Sequence, residues 1–457
     1  MMGKSESAGL AVSTAPGLPT SHWLPENPVS RRPPTALPCK THAASHEWAM
    51  SKNKNIVHPV AASDAVDPRK DVLYQGINGH GLEGGVVLGE GEGGGDQERA
   101  RCEWDFRLCS VISPAATREA SDALGAIEFD PSDQLVATGG IARKIRIYTM
   151  GSLLESRGEC GGVGGTAAAL SDHAAACSYY ICTPAKLSSL RWRPDSGGRV
   201  IGAGDYDGVV TEYDLERRLS VFERDEHEGR RVWSVDYSRW IPQLGASGSD
   251  DGTAHLWDSR CGRDVASLCP VGGEPRRPVC CVEFDPFGES LIGLGCADRR
   301  AYVYDLRMGS DPVTVFRGHR RTVTYLRFIG GGRVVSAGTD GCLRLWDLLD
   351  AREMRAYEGH ANTRNFVGLS VWRAGGLLAC GSETNEVYVY DMRWGQPIWV
   401  GGFEAAAEEG GRGFVSSVCW RQAGDDGDAC TIVAGTSNGV LQVFSGRKKP
   451  AAAAAPV

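Results

Sequence analysis

The amino-acid sequence predicts an all-β protein, a closed ring of similar four-stranded sheets called a β-propeller. The first observation is a recurring phrase of strand, tight turn and strand, as in ASGSDDGTAHLWDSR at Ala246–Arg260. Glycine and aspartate supply the turn, and alternating small and polar residues then lead to an aromatic residue followed by aspartate. Variants of this phrase return along the chain, so the fold is predicted to consist of repeats.

The spacing of the repeats is the second observation. The predicted third strands of seven units end at Tyr148, Tyr213, Trp257, Tyr304, Trp346, Tyr390 and Phe444. Most intervals are about 42–54 residues, and the first is about 65. A period of this size with a terminal WD or YD dipeptide is typical of WD repeats, so we predict a seven-bladed WD40 β-propeller.

The order of segments predicts where the propeller begins and ends. Residues 1–98 are rich in Ala, Ser, Pro and Gly without a sustained period, and we expect a disordered N-terminal extension with either a regulatory role or none. Cys102–Leu108 predicts a lone strand that completes the last blade and closes the ring. The propeller then spans 102–445, and 446–457 forms a C-terminal tail. Two long intervals predict surface insertions at Gly151–Pro184 and Gly401–Gly413.

Composition excludes several classes of function. Net charge is −8 and the pI about 5.8, which argues against binding nucleic acid or an anionic membrane, and no apolar run is long enough to span a bilayer. The fifteen cysteines form no C-x-x-C pair, and those in strands are expected to be reduced core residues. We expect no cofactor, metal site or enzymatic activity. Arg447–Lys449 is either a nuclear-import signal or a plain solvated tail.

Two units carry His, Ser, Asp and Trp at matching spacings. The residues are His227, Ser247, Asp251 and Trp257 in the third unit, and His319, Ser336, Asp340 and Trp346 in the fifth. His, Ser and Asp together could indicate nucleophilic catalysis. Because the set is repeated and each Ser lies within a strand, we interpret both sets as buried hydrogen-bond networks that hold strands in place.

Blade geometry predicts two functional rims. The residues before each first strand, together with each central hairpin, should converge at one face, the top. The cationic and aromatic residues among them are Lys186, Tyr206, Arg231, Trp233, Arg321 and Phe366. Their chemistry suits a peptide with acidic residues and an apolar anchor, although Trp233 and Phe366 could instead be blade core. At the bottom, Arg260 follows Trp257-Asp258 and could meet an acidic partner or pair with Asp258.

Several segments resemble the WD-repeat domain of the plant constitutive-photomorphogenesis ubiquitin ligase. They are Gly125–Tyr148, Lys186–Trp192, His227–Trp240, Ser247–Asp258, Gly318–Phe328, Asn365–Leu369 and Gly381–Asp391. The chain lacks the zinc RING and coiled coil of that ligase and the kinase-like region of the phytochrome-signalling suppressors. Its opening CEWDFRL before a bare propeller resembles the repressors of UV-B photomorphogenesis.

The resemblance implies partners and sites. Such repressors bind the plant UV-B photoreceptor, through its C-terminal Val-Pro peptide and its core, and promote its redimerisation. In the related ligase the top rim receives Val-Pro peptides, at positions matching the six residues above. Two departures concern this rim, because Arg321 replaces a lysine and Thr363 replaces an acidic residue.

The alternative implied function is that of a substrate receptor for a cullin-4 type ubiquitin ligase that directs transcription regulators to degradation. Trp257, Asp258 and Arg260 then match the box that binds the ligase adaptor, and the constitutive-photomorphogenesis ligase is a further implied partner. The resemblance implies a location in nucleus and cytoplasm. Both functions could hold together.

Overall fold

The computed structural model describes residues 100–114, 121–154, 168–260, 263–270, 276–288, 290–309, 311–403, 413–423 and 427–450. The expected disorder of 1–98 therefore falls outside the described residues. Strands of the described part form seven sheets, six with four strands and one with five. This architecture confirms the predicted seven-bladed propeller. No helix within the described ranges is long and apolar enough to cross a bilayer.

The elements up to the end of blade 3 follow in chain order. They are β1 (Trp104–Ser113), β2 (Leu124–Phe129), β3 (Leu135–Gly140), β4 (Lys144–Thr149), α1 (Met150–Leu154), β5 (Ala169–Asp172), α2 (His173–Ala176), β6 (Tyr179–Cys182), β7 (Leu187–Trp192), a 3₁₀ turn (Pro194–Ser196), β8 (Val200–Asp205), β9 (Val210–Asp214), β10 (Leu219–Arg224), β11 (Val232–Tyr237), β12 (Leu244–Ser249), β13 (Ala254–Asp258) and β14 (Arg263–Leu268). Blade 1 is β2-β3-β4-β6, blade 2 is β7 to β10 and blade 3 is β11 to β14, whereas β1 and β5 belong to blade 7.

The remaining blades repeat the same plan. Their strands are β15 (Val279–Phe284), β16 (Leu291–Cys296), β17 (Arg300–Asp305), β18 (Thr314–Arg317), β19 (Val323–Gly330), β20 (Arg333–Gly338), β21 (Cys342–Asp347), β22 (Glu353–Tyr357), β23 (Leu369–Trp372), β24 (Leu377–Gly381), β25 (Glu386–Asp391), β26 (Pro397–Gly402), β27 (Val415–Trp420), β28 (Ala429–Thr436) and β29 (Leu441–Lys448). Blades 4, 5 and 6 take four consecutive strands each, and β27-β28-β29-β1-β5 form blade 7.

Ring closure occurs as predicted, with different strand limits. β1 pairs antiparallel with β29, from Trp104 opposite Lys448 to Ile112 opposite Leu441. The closing strand therefore runs from Trp104 to Ser113 rather than from Cys102 to Leu108, and β29 continues beyond Phe444. The predicted tail at 446–457 is wrong at its start, because Arg447 and Lys448 lie in this sheet and Lys449 Nζ donates to the Cys102 carbonyl at 3.1 Å.

Part of the predicted first insertion also belongs to the sheets. β6 is the fourth strand of blade 1, whereas β5 pairs in parallel with β1 in blade 7. Between them, His173 Nε2 donates to the Gly439 carbonyl and Nδ1 accepts from the Tyr148 hydroxyl, both at 2.7 Å. Burial lowers the pKa of His173, so its neutral form is favoured. This segment therefore ties blade 1 to blade 7.

The core lies between adjacent blades, where apolar residues of inner and middle strands pack together. One cluster joins Trp372 of blade 6 to Trp420 and Phe444 of blade 7, with Trp104 of β1. Most strand cysteines belong to this core, as expected, but Cys109 of β1 is half-buried and Cys182 of β6 is exposed. The buried thiols are Cys280, Cys281, Cys296, Cys342, Cys380, Cys419 and Cys430. Burial raises the pKa of these thiols, which makes them poor nucleophiles.

Candidate functional site

The top rim brings together the aromatic and cationic residues predicted from blade geometry. The Arg231 guanidinium carbon lies 4.1 Å from the ring centre of Tyr206 and 4.6 Å from that of Trp233. Trp233 in turn stacks on Phe366, with centroids 4.4 Å apart and planes inclined by 7°. These contacts connect blades 2, 3 and 6 in one surface. Since both rings of the stack are half-buried, they are rim residues and not blade core.

A β-bulge explains why Trp233 faces the channel. The register of β11 against β12 shifts between Val232 and Ser234, which leaves Trp233 without a direct partner. Inner strands of five other blades have the same shift at their second residue, namely Gly125, Ser188, Cys280, Thr324 and Ser416. A bulge redirects its extra side chain, and at this position blade 3 alone of the six places an aromatic ring.

The other two predicted rim residues lie at the edge of this surface. Arg321 is exposed and its Nη1 donates to the Thr363 carbonyl at 2.7 Å, beside the segment that carries Phe366. Lys186 is also exposed, and its carbonyl accepts from the Tyr206 backbone N–H at 2.9 Å. The six predicted residues therefore lie at one mouth of the channel, where Lys186 and Arg321 are exposed and Arg231 is half-buried like the aromatic rings.

Two acidic residues that sequence reasoning missed hold the rim in place. Asp250 Oδ1 accepts from the Trp233 indole N–H at 2.6 Å. Glu383 accepts from the Thr363 hydroxyl at 2.7 Å and from the backbone N–H groups of Arg364 and Asn365 at 3.0 Å. Burial alone would raise the pKa of Glu383, but these hydrogen bonds lower it to about 2.

The rim opens into a central cavity of about 960 Å³ that the inner strands enclose. The fifth residue of five successive inner strands is charged: Glu128, Arg191, Asp236, Glu283 and Arg327. This set, the channel ion ring, was not predicted. Arg191 contacts Glu128 at 2.7 Å and Asp236 at 2.9 Å, and Arg327 contacts Glu283 at 2.7 Å.

The ion ring holds neighbouring inner strands together. Burial alone would lower the pKa of Arg191, but Glu128 and Asp236 raise it, so the guanidinium stays charged. Asp236 also accepts from the Phe284 N–H at 2.7 Å, and Glu283 from the Phe328 N–H at 3.2 Å, each in the next blade. Because its members pair with one another and with backbone N–H groups of the next blade, the ring has a structural role.

The two predicted hydrogen-bond networks differ in one member. In blade 5, His319 lies 3.0 Å from Asp340 and 2.7 Å from Ser336 Oγ, and the Trp346 indole donates to that same Oγ at 2.8 Å. In blade 3, His227 contacts Asp251 at 2.7 Å and Ser247 at 2.8 Å. Trp257 does not join that network, contrary to prediction, since its indole nitrogen has no hydrogen-bond partner among the described residues.

At the bottom rim the arginines pair with the aspartates of their own strand ends. Arg260 Nη2 lies 2.5 Å from Asp258, and Arg307 and Arg393 contact Asp305 and Asp391 at 2.6 and 2.7 Å. The Arg260 side chain is nevertheless 67% exposed. Trp257 is 1% exposed, with its indole buried against Phe222 and Tyr237, so Arg260 is the exposed residue of the predicted adaptor box.

Comparison with known proteins identifies the repeat. The family model "WD domain, G-beta repeat" matches residues 218–258 and 310–347. The crystal structure of the WD40 β-propeller domain of Doa1 covers 74% of this chain and 96% of its own, with a TM-score of 0.55 and 18% identity. This likeness supports the propeller fold alone.

Arabidopsis thaliana relatives specify the family. WD repeat-containing protein RUP2 is 61% identical over 72% of this chain and 90% of its own length, and RUP1 is 56% identical over 76% and 86%. E3 ubiquitin-protein ligase COP1 is 36% identical over 74% of this chain, which spans 47% of the ligase. The chain therefore belongs to the family of WD repeat-containing proteins RUP1 and RUP2, with a propeller related to that of COP1.

Proposed function

We propose that this chain is a non-catalytic interaction protein that binds the plant UV-B photoreceptor and promotes its return from active monomer to inactive homodimer. The top rim is the observation that carries the proposal. A Val-Pro segment can pack on the half-buried Trp233 and Phe366 rings, while Arg231, Arg321 and Lys186 face acidic residues that flank it. The relationship to RUP1 and RUP2 supports the same function.

Binding of the tail peptide alone cannot drive dimerisation. A partner shifts an equilibrium only by its differential affinity for the two states, and a tenfold preference corresponds to about 1.4 kcal/mol. In this mechanism the rim captures the flexible tail, and other propeller surfaces contact the photoreceptor core more favourably in the pairing-competent state. The protein should therefore shift the photoreceptor from monomer to dimer by more than its affinity for the isolated tail peptide explains.

The test is a titration of the full-length protein with the photoreceptor's C-terminal peptide. Trp233→Ala and Phe366→Ala are each expected to weaken binding by about 2 kcal/mol, or roughly thirtyfold, as central aromatic contacts do. Trp240→Ala is the matched control, because Trp240 is an exposed tryptophan in the turn that joins β11 to β12 at the opposite end of the blade. Unchanged affinity in both rim variants would remove the proposed site. Redimerisation kinetics of the photoreceptor provide the second readout.

A second, separable function is that of substrate receptor in a cullin-4 type ligase, with the bottom rim contacting the adaptor. The observation that favours it is the exposed Arg260 guanidinium, which Asp258 fixes in orientation at the end of β13. Arg260→Ala should weaken adaptor pull-down while peptide binding is retained. Arg307→Ala is the matched control, since Arg307 makes the same local pair in blade 4. Adaptor association that survives Arg260→Ala would contradict this assignment.

A further inference from the structure

The blade 3 network contains a set of metal-ligating side chains. His227, Asp251 and His255 each offer one ligand atom, and these atoms lie within 4.8 Å of one another. His227 is buried, and the other two residues are half-buried. The sequence predicts no metal site, because His227 precedes β11 whereas Asp251 and His255 follow β12, and only the folded blade brings the three residues together.

We infer that His227, Asp251 and His255 bind a divalent transition metal ion of the Zn²⁺ type. Two imidazoles and one carboxylate, with positions left for water, form a common ligand set for zinc. Ligand atoms around tetrahedral zinc are about 3.3 Å apart. His227 Nδ1 and Asp251 Oδ2 are already 2.7 Å apart, and the His255 ligand atom lies within 4.8 Å of both.

Position 255 gives blade 3 its third ligand. His255 lies directly opposite Ser247 in the β12–β13 ladder, which places its ring 4.8 Å from that of His227. The equivalent residue of blade 5 is Arg344, opposite Ser336. Arg344 cannot bind a cation and instead pairs with Glu353 at 2.5 Å. The two networks are therefore a matched pair, and only the one in blade 3 has a complete ligand set.

In blade 3, the absence of a hydrogen bond from Trp257 to Ser247 permits the His227 tautomer that a metal requires. In blade 5, Ser336 Oγ accepts the Trp346 N–H and can direct its own hydrogen to His319 Nε2, which places the imidazole proton on Nδ1 toward Asp340. Trp257 makes no such bond to Ser247. Once a metal ion has displaced the hydrogen that Nδ1 shares with Asp251, His227 Nε2 can therefore carry the imidazole proton and donate to Ser247, which leaves the Nδ1 lone pair for the metal.

Outer hydrogen bonds already orient the carboxylate. Asp251 Oδ1 accepts from both the backbone N–H and the hydroxyl of Thr253 at 2.7 Å, so Oδ2 is the oxygen that faces His227. Second-shell bonds of this kind orient metal ligands and are typical of metal sites. When the ion binds, it displaces the proton between Nδ1 and Oδ2, and affinity should fall as the pH is lowered.

The experiment is a Zn²⁺ titration of the full-length protein after treatment with a chelator, with Co²⁺ absorption as a spectroscopic readout. His255→Arg introduces the residue type found in blade 5 and keeps the His227–Asp251–Ser247 contacts. The wild type is expected to bind one more equivalent of Zn²⁺ than this variant, and Zn²⁺ should raise its melting temperature by more. This difference separates the site from the five histidines in residues 1–99. Equal stoichiometry in both proteins would overturn the inference.

Arg344→His is the converse variant. It gives blade 5 the same three ligand types, but Trp346 still donates to Ser336. We expect no additional Zn²⁺ equivalent in this variant. Gain of a site as tight as that of blade 3 would contradict the tautomer argument.

Discussion

Trp233 and Phe366 lie face to face, 4.4 Å apart, although they belong to blade 3 and to the segment entering blade 6. The stack therefore joins distant parts of the ring at the channel mouth. Tyr325 of blade 5 meets Phe366 edge-on at 5.9 Å and supports it from the side. The apolar part of the rim thus behaves as one unit whose members depend on each other.

Peptide binding should show this dependence as non-additivity. We expect Trp233→Ala and Phe366→Ala to be coupled by about 0.5–1.5 kcal/mol, the range measured for aromatic pairs. A double-mutant cycle on peptide affinity by calorimetry measures the coupling. Strict additivity of the two single-variant losses would show that the rings act independently. Trp233→Ala combined with Trp240→Ala is the control cycle, in which no coupling is expected.

Glu383 should stabilise the loop before Phe366 in a defined pH window. Its carboxylate pKa is lowered to about 2 from an ordinary value of 4.5, so its contribution is complete above about 4.5 and is lost as the pH falls toward 2. In Glu383→Gln, amide hydrogen exchange of Arg364 and Asn365 should be faster than in the wild type at pH 7. This difference should shrink between pH 4.5 and 2. Glu386→Gln is the control, because Glu386 contacts Thr384 and Tyr388 instead.

The two tryptophans that end β13 and β21 should respond differently to replacement by phenylalanine. Trp346→Phe removes a buried hydrogen bond to Ser336, whereas Trp257→Phe removes an indole N–H that the described residues leave unsatisfied. We expect Trp346→Phe to cost about 1–2 kcal/mol more in the free energy of unfolding. Urea denaturation of both variants gives the difference. An equal loss of unfolding free energy in the two variants would mean that packing, and not the hydrogen bond to Ser336, determines the effect of the substitution.

Ring closure should depend strongly on Trp104. This residue is 5% exposed and meets Trp372 edge-on at 5.2 Å, so it fastens β1 to blades 6 and 7. Trp104→Ala is expected to lower the free energy of unfolding by about 3–5 kcal/mol. Leu170→Ala in the adjacent β5 should change it by no more than about 0.5 kcal/mol, since Leu170 is 77% exposed. A loss in Trp104→Ala as small as in this control would contradict the closure role.

The features that recur in every repeat could be predicted from the sequence. Turn residues, period and terminal aromatics predicted the seven blades, and the blade plan grouped six residues of which Tyr206, Arg231, Trp233 and Phe366 are in contact in the structure. The bonds of Glu383 and Asp250 to the rim depend on how loops of different strands meet, which no local pattern reveals. The channel ion ring was missed because its successive members are between 44 and 63 residues apart and the set contains both charges, so they form no motif. The prediction that Trp257 joins the blade 3 network was wrong, because the same sequence spacing does not ensure that an indole N–H reaches its acceptor.

The pairing of β1 with β29 has a consequence for how the protein is made. A ribosome delivers β1 first and β29 last, so blade 7 cannot form until almost the whole propeller has been synthesised. During that time β1 has no β29 to pair with, and the apolar faces of Trp104 and Trp372 remain exposed to solvent. Contacts between distant parts of a chain form slowly. We therefore expect the nascent chain to be most prone to aggregation just before its final strand emerges.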